Sequence, residues 1–135
     1  MKTLSTFVLG TVLLAASLAP AKAGGCDDIR HLGDRWHALA TYIDNHSDDG
    51  KLRHSEIKRV ADDARPLIEP TKRLGELLVS EFQGKDEQRI RALGKQILAA
   101  MEELGGLNDD DDWDTVSSIL ERMAGVIDNV VDQCE

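Results

Sequence analysis

The chain has 135 residues, 16 of them basic and 25 acidic, for a net charge of −9 with histidine neutral. Such an acidic balance makes nucleic acid and anionic membrane surfaces poor partners, and cations or basic surfaces better ones. The sequence holds no C-x-x-C-H or G-x-S-x-G motif and no plausible nucleophile–base pair, so neither an enzyme nor covalently attached haem is expected.

The first 23 residues read as an export signal. "MK" is a short positive start, and "LSTFVLGTVLLAASLA" is an apolar run too short and too rich in small residues to span a membrane. "AKA" at Ala21–Ala23 fits a small-x-small cleavage site, so cleavage is expected after Ala23. Residues 1–23 are then a signal peptide, and 24–135 form one secreted or periplasmic domain with no stable membrane insertion. The alternative is a lipoprotein modified at Cys26, the end of "AGGC". Against it, Ala23 stands where leucine is favoured, and Lys22 separates the apolar run from the cysteine. Losing Lys2 and Lys22 leaves 14 basic residues against 25 acidic ones, a net charge of −11.

Four segments of the remaining chain carry helical periodicity, and none alternates like a strand. In the first, Ile29, Leu32, Trp36, Leu39 and Ile43 recur at steps of three and four, with Asp27 and Asp28 placed where a helix N-terminus favours acids. The second runs from about Ser55 to Phe82. Its stripe is Ile57, Val60, Ala61, Ala64, Leu67, Leu74, Leu78 and Phe82, interrupted by Pro66 and Pro70, where a kink or a break is expected. The third opens near "GKDEQ", carries Ile90, Leu93, Ile97, Met101 and Leu104, and stops at Gly105–Gly106. The fourth follows "NDDDDWD", with Val116, Ile119, Leu120, Met123, Ile127 and Val130 on one face. Regular helical steps with short connections predict an all-α fold, an antiparallel four-helix bundle with a kinked second helix.

Cys26 and Cys134 are the only cysteines and lie near the two ends of the mature chain. In an oxidising compartment they are most simply a disulfide, contributing about 4–5 kcal/mol as an upper guide. A reactive or intermolecular thiol is the rival. Up-down-up-down order brings the start of the first helix and the end of the last to the same pole, where this bridge fits. Splitting the second segment into two separately directed helices would reverse that parity, so the bridge favours a kink over a break.

The connection between the first two segments, "DNHSDDGKLRHSEI", is acidic and holds one glycine. With Gly50 at the sharp turn, Asp49 precedes it, Lys51 offers a carbonyl, Leu52 is the aliphatic anchor and Glu56 falls where a bidentate carboxylate closes a calcium shell. Trp36, Leu39, Ala40 and Ile43 before the loop and Ile57, Val60, Ala61 and Ala64 after it keep the same apolar rhythm. The segment 36–64 resembles an EF-hand helix–loop–helix. That resemblance implies calcium as cofactor, held by Asp49, the Lys51 carbonyl and Glu56, with Asp44, Asn45 and Ser47 competing for the early positions. Counting back from Gly50 starts the loop at Asn45, whereas counting forward from Ile43 starts it at Asp44 with one inserted residue and gives Asp44, Asp48 or Asp49, and Glu56. Arg53 falls at the ninth position, a poor neighbour for a dication, so binding is expected at the millimolar end. The bland alternative is a polar turn with helix caps.

Other residues offer less. Asp110, Asp112, Asp114 and Glu121 can be forced into the same register, but Thr115 and Ser117 stand where glycine and an aliphatic residue are needed. An acidic helix N-terminus is the favoured reading. His46 and His54 both fall in the acidic loop, where a zinc or copper site with Asp48, Asp49 or Glu56 is conceivable, but their spacing matches no standard ligand pattern, and His31 and His37 lie on different helix faces. Met101, Met123 and Trp36 are expected in the core, and Trp113 either against the fourth helix or exposed. Three roles follow: weak calcium binding through the one loop, a metal-free four-helix module that binds a partner protein, and a bundle that binds haem or another ligand.

Overall fold

The structure, a computed structural model, describes residues 22–107 and 112–134. The proposed signal peptide, apart from Lys22 and Ala23, and the acidic residues Asp109–Asp111 lie outside the described residues. Helix α1 spans Lys22–His46, α2 His54–Glu81, α3 Gln88–Gly105 and α4 Trp113–Cys134. A 3-10 turn at Lys85–Glu87 leads into α3. No strand occurs among the described residues, only an isolated antiparallel bridge between Asp48 and Lys51. The expected all-α four-helix bundle is what forms.

Helix α1 packs on α4, α4 on α3, α3 on α2 and α2 on α1, an up-down-up-down ring. The apolar stripes meet in one core. Trp36, Ile43, Leu78, Phe82, Ile97, Met123 and Ile127 are wholly buried in it, and Met101 packs at its edge. Cys26 and Cys134 are joined, with Cα atoms 5.9 Å apart and a sequence separation of 108, so the ends of the bundle are tied at one pole. No helix among the described residues is long and apolar enough to cross a membrane.

Three boundaries refine the sequence reading. Helix α1 is described from Lys22 onward, and Asp27 and Asp28 lie beyond its first described turn. Helix α2 runs unbroken through Pro66 and Pro70. Each proline removes the donor that would reach the carbonyl four residues back, on Asp62 and Pro66, and the flanking turns hold the helix together. Helix α3 stops at the glycine pair as expected. Gly106 keeps a negative φ of −89° and its N–H reaches the carbonyls of Glu102 and Glu103.

Helices α2 and α3 come close where two glycines face each other. A Cβ on Gly94 would stand 2.8 Å from the Gly75 carbonyl oxygen and 2.8 Å from the Leu78 Cβ. Lacking side chains at both positions, the two backbones settle nearly into contact. The opposite seam, between α1 and α2, is bridged by one buried polar contact. The Trp36 indole N–H donates to the Thr71 hydroxyl at 2.8 Å, and that hydroxyl donates to the Leu67 carbonyl at 2.6 Å.

Candidate functional site

The connection from α1 to α2 is short. Helix α1 continues through His46 and α2 begins at His54, so Asp44 and Asn45 are helical and only Ser47–Arg53 are loop. At its tip Asp49 (φ 53°) and Gly50 (φ 76°) both adopt positive φ, the pattern of a type I′ turn for which Asp-Gly is suited. Asp48 and Lys51 close it by exchanging backbone hydrogen bonds of 2.9 and 3.0 Å. The Lys51 carbonyl therefore accepts from the Asp48 N–H within the loop.

Glu56 is buried and turned onto its own helix. Its carboxylate accepts from the Arg53 backbone N–H at 2.8 Å and from the Arg53 guanidinium at 3.2 Å, a capping arrangement at the start of α2. The Arg53 side-chain hydrogen bond, then its backbone N–H, hold the Glu56 carboxyl below the ordinary range, and the same pair pushes Arg53 further up. Asp44 accepts from the Ser117 hydroxyl of α4 at 2.6 Å. Asn45 is exposed on the last turn of α1.

The loop leans on the N-terminus of α4. The Trp113 N–H donates to the Gly50 carbonyl at 2.8 Å, and Ser47 donates to the Asp114 carboxylate at 3.3 Å. Asp112 caps α4 through its side chain, which accepts from the Asp114 N–H at 2.8 Å, and through its carbonyl, which accepts from Thr115 and Val116. This is the acidic helix start expected from sequence. Glu121 faces His37 of α1 at 2.9 Å. His46 stacks on Tyr42, ring centroids 4.0 Å apart, and its Nδ1 lies 2.8 Å from the Tyr42 carbonyl. Among the described residues no three His, Cys, Asp or Glu side chains converge as a metal site.

A second feature went unread in the sequence. Between α1 and α2 lies an open groove of about 450 Å³, lined by Ile29, Leu32, Leu67, Leu74 and Leu77, by Pro66 and Pro70, and by Asp28, His31, Arg35 and Arg73. Pro66 and Pro70 both lie on its α2 wall. Beyond Arg35 the seam continues past Tyr42, over whose ring the Arg59 guanidinium sits at 4.8 Å while it pairs with Asp63 at 3.7 Å. Arg35 and Arg73 are exposed, and among the described residues neither makes an ion pair.

No protein-family model, curated protein or solved structure matches the chain. Any functional reading therefore rests on these two features.

Proposed function

We propose that the protein is a non-catalytic helical binding module, exported and closed by its disulfide, that takes a partner on the α1–α2 groove without a metal ion. The groove carries this reading. It is concave, largely apolar and edged by Arg35 and Arg73, neither ion-paired among the described residues, as binding sites commonly are. The loop supports the metal-free part. Asp44, the Lys51 carbonyl and Glu56 already accept hydrogen bonds from protein donors, and the turn closes through its own backbone. The disulfide supports an oxidising compartment outside the cytosol.

The test is a photo-crosslinking amino acid placed at Leu77, on the groove, or at Ala99, on the exposed side of α3, in cells expressing the full chain. An adduct from position 77 and none from position 99 is expected. Equal adducts, or none from either position, would overturn the groove as the binding face.

Weak calcium binding is a second reading, favoured by one observation. The α4 N-terminus brings Asp112 against Gly50 and Asp114 against Ser47, adding carboxylates to the EF-hand-like loop. Asp44, Asn45, Ser47, Asp49, Lys51 and Glu56 would supply the oxygens, and Glu56 would first have to leave Arg53. Melting the protein in chelator and in millimolar calcium decides it. A midpoint raised by calcium, and raised less in Glu56→Gln, supports calcium. A midpoint unmoved in both removes it.

A further inference from the structure

We propose that the occupant of the α1–α2 groove is a small free amphipathic anion, with an apolar body and one carboxylate-like head. This rests on the reading of the groove as the binding face and goes on to name what enters it. The floor is made by Ile29, Leu67 and Leu74, buried, and by Leu32, half-buried. These side chains offer apolar surface to an apolar body, and burial is favourable in proportion to the area covered. The volume of about 450 Å³ falls among sites that take small molecules, roughly 300–1,000 Å³.

The charges choose the head group. The chain as a whole is strongly acidic, yet this groove is edged by two arginines against one aspartate, Asp28. Arg35 stands on α1 and Arg73 on α2, one on each wall, both without an ion-pair partner among the described residues. By contrast Arg59, further along the same seam, is already engaged by Asp63 and Tyr42. An anion is repelled by most of this surface and attracted here. A guanidinium also matches a carboxylate with two parallel hydrogen bonds, which a hydroxyl or an ammonium head cannot accept. A cationic partner would instead be drawn to the acidic faces elsewhere. The Trp36–Thr71 hydrogen bond joins α1 to α2, so the two helices that form the groove's walls are tied to each other before anything binds.

The test is calorimetric titration of the disulfide-closed protein with dodecanoate and with dodecanol, both below their aggregation limits. Saturable binding of one dodecanoate is expected, with dodecanol at least about tenfold weaker, the value of one charge-assisted hydrogen bond pair. The Arg35→Gln, Arg73→Gln double variant should lose about tenfold for dodecanoate and nothing for dodecanol. Both arginines are exposed, so its melting curve should match the parent's. Equal binding of acid and alcohol overturns the anionic head. Co-sedimentation with anionic phospholipid vesicles overturns the free amphiphile. No saturable binding of either probe, with the crosslinked adduct at position 77 intact, overturns the small-molecule occupant and gives the groove to a polypeptide. Loss of both results removes the groove reading itself.

Discussion

The indole N–H of Trp36 on α1 donates to the hydroxyl of Thr71 on α2 at 2.8 Å, inside the core and with both residues fully buried. It ties the two helices at the seam that packs least tightly, and it leaves both polar groups satisfied. Thr71→Val keeps the shape but strands the indole N–H, which should cost about 1–3 kcal/mol. Trp36→Phe removes the donor and some volume, leaving Thr71 its bond to the Leu67 carbonyl. Denaturant midpoints of the two single variants and the double variant give the coupling. Strict additivity would show that the contact contributes nothing.

The disulfide between Cys26 and Cys134 closes nearly the whole folded chain. Cys26→Ser with Cys134→Ser, or reduction, should lower stability by about 2–5 kcal/mol, with helix content retained below the transition. Urea unfolding with and without reductant measures it. An unchanged midpoint would contradict a constraint on so long a loop.

Acid should reach the Arg53–Glu56 cap selectively. The Glu56 carboxyl is held below its unfolded value, so its contribution is complete above the ordinary glutamate range, near about 4.3, and is lost as pH falls through the depressed folded value. Arg53 is largely exposed, so solvent screens the pair and the effect is modest. Glu56→Gln keeps an acceptor for the Arg53 N–H and should flatten this part of the pH–stability curve. Glu56→Ala should lower the melting point by a few degrees at neutral pH. A parent and a Gln variant with superimposable curves below pH ~5 would refute the assignment.

Two glycines should respond with opposite signs. Gly50 has φ of 76°, and a Cβ there would meet the Asp112 carboxylate at 2.5 Å. Gly50→Ala should cost about 1–3 kcal/mol through backbone strain and displacement of the α4 cap. Gly125 lies within α4 with open space around its Cβ position, and Gly125→Ala should stabilise by up to about 1 kcal/mol. Paired thermal melts check both, and matching signs would be inconsistent with this geometry.

The bundle was legible because Ile29, Trp36, Ile43, Leu78, Ile97 and Ile127 recur at helical steps, and burial follows that rhythm directly. The polar pairings were not. Trp36 with Thr71, His37 with Glu121 and Gly50 with Trp113 join residues far apart in sequence, and periodicity carries no information about which polar group meets which. Glu56 was legible only as a closing carboxylate. Its place as a cap three residues into a helix was hidden because Arg53, at the cap, is not a usual capping residue. Pro66 and Pro70 signalled a disturbance in α2, but a groove also needs Leu32 of α1 and Leu74 of α2 to line one open space, which a one-dimensional pattern does not express.

The bridge at the pole where the chain ends meet changes what a cut backbone means. A protease that nicks the turn between α2 and α3, around Gln83–Gly84, yields two fragments of two helices each. Cys26 and Cys134 sit on different fragments and remain joined. The nicked protein therefore stays one covalent molecule, running at full mass without reductant and as two bands with it, and its two helical pairs have only to reassociate across a tether to restore the bundle.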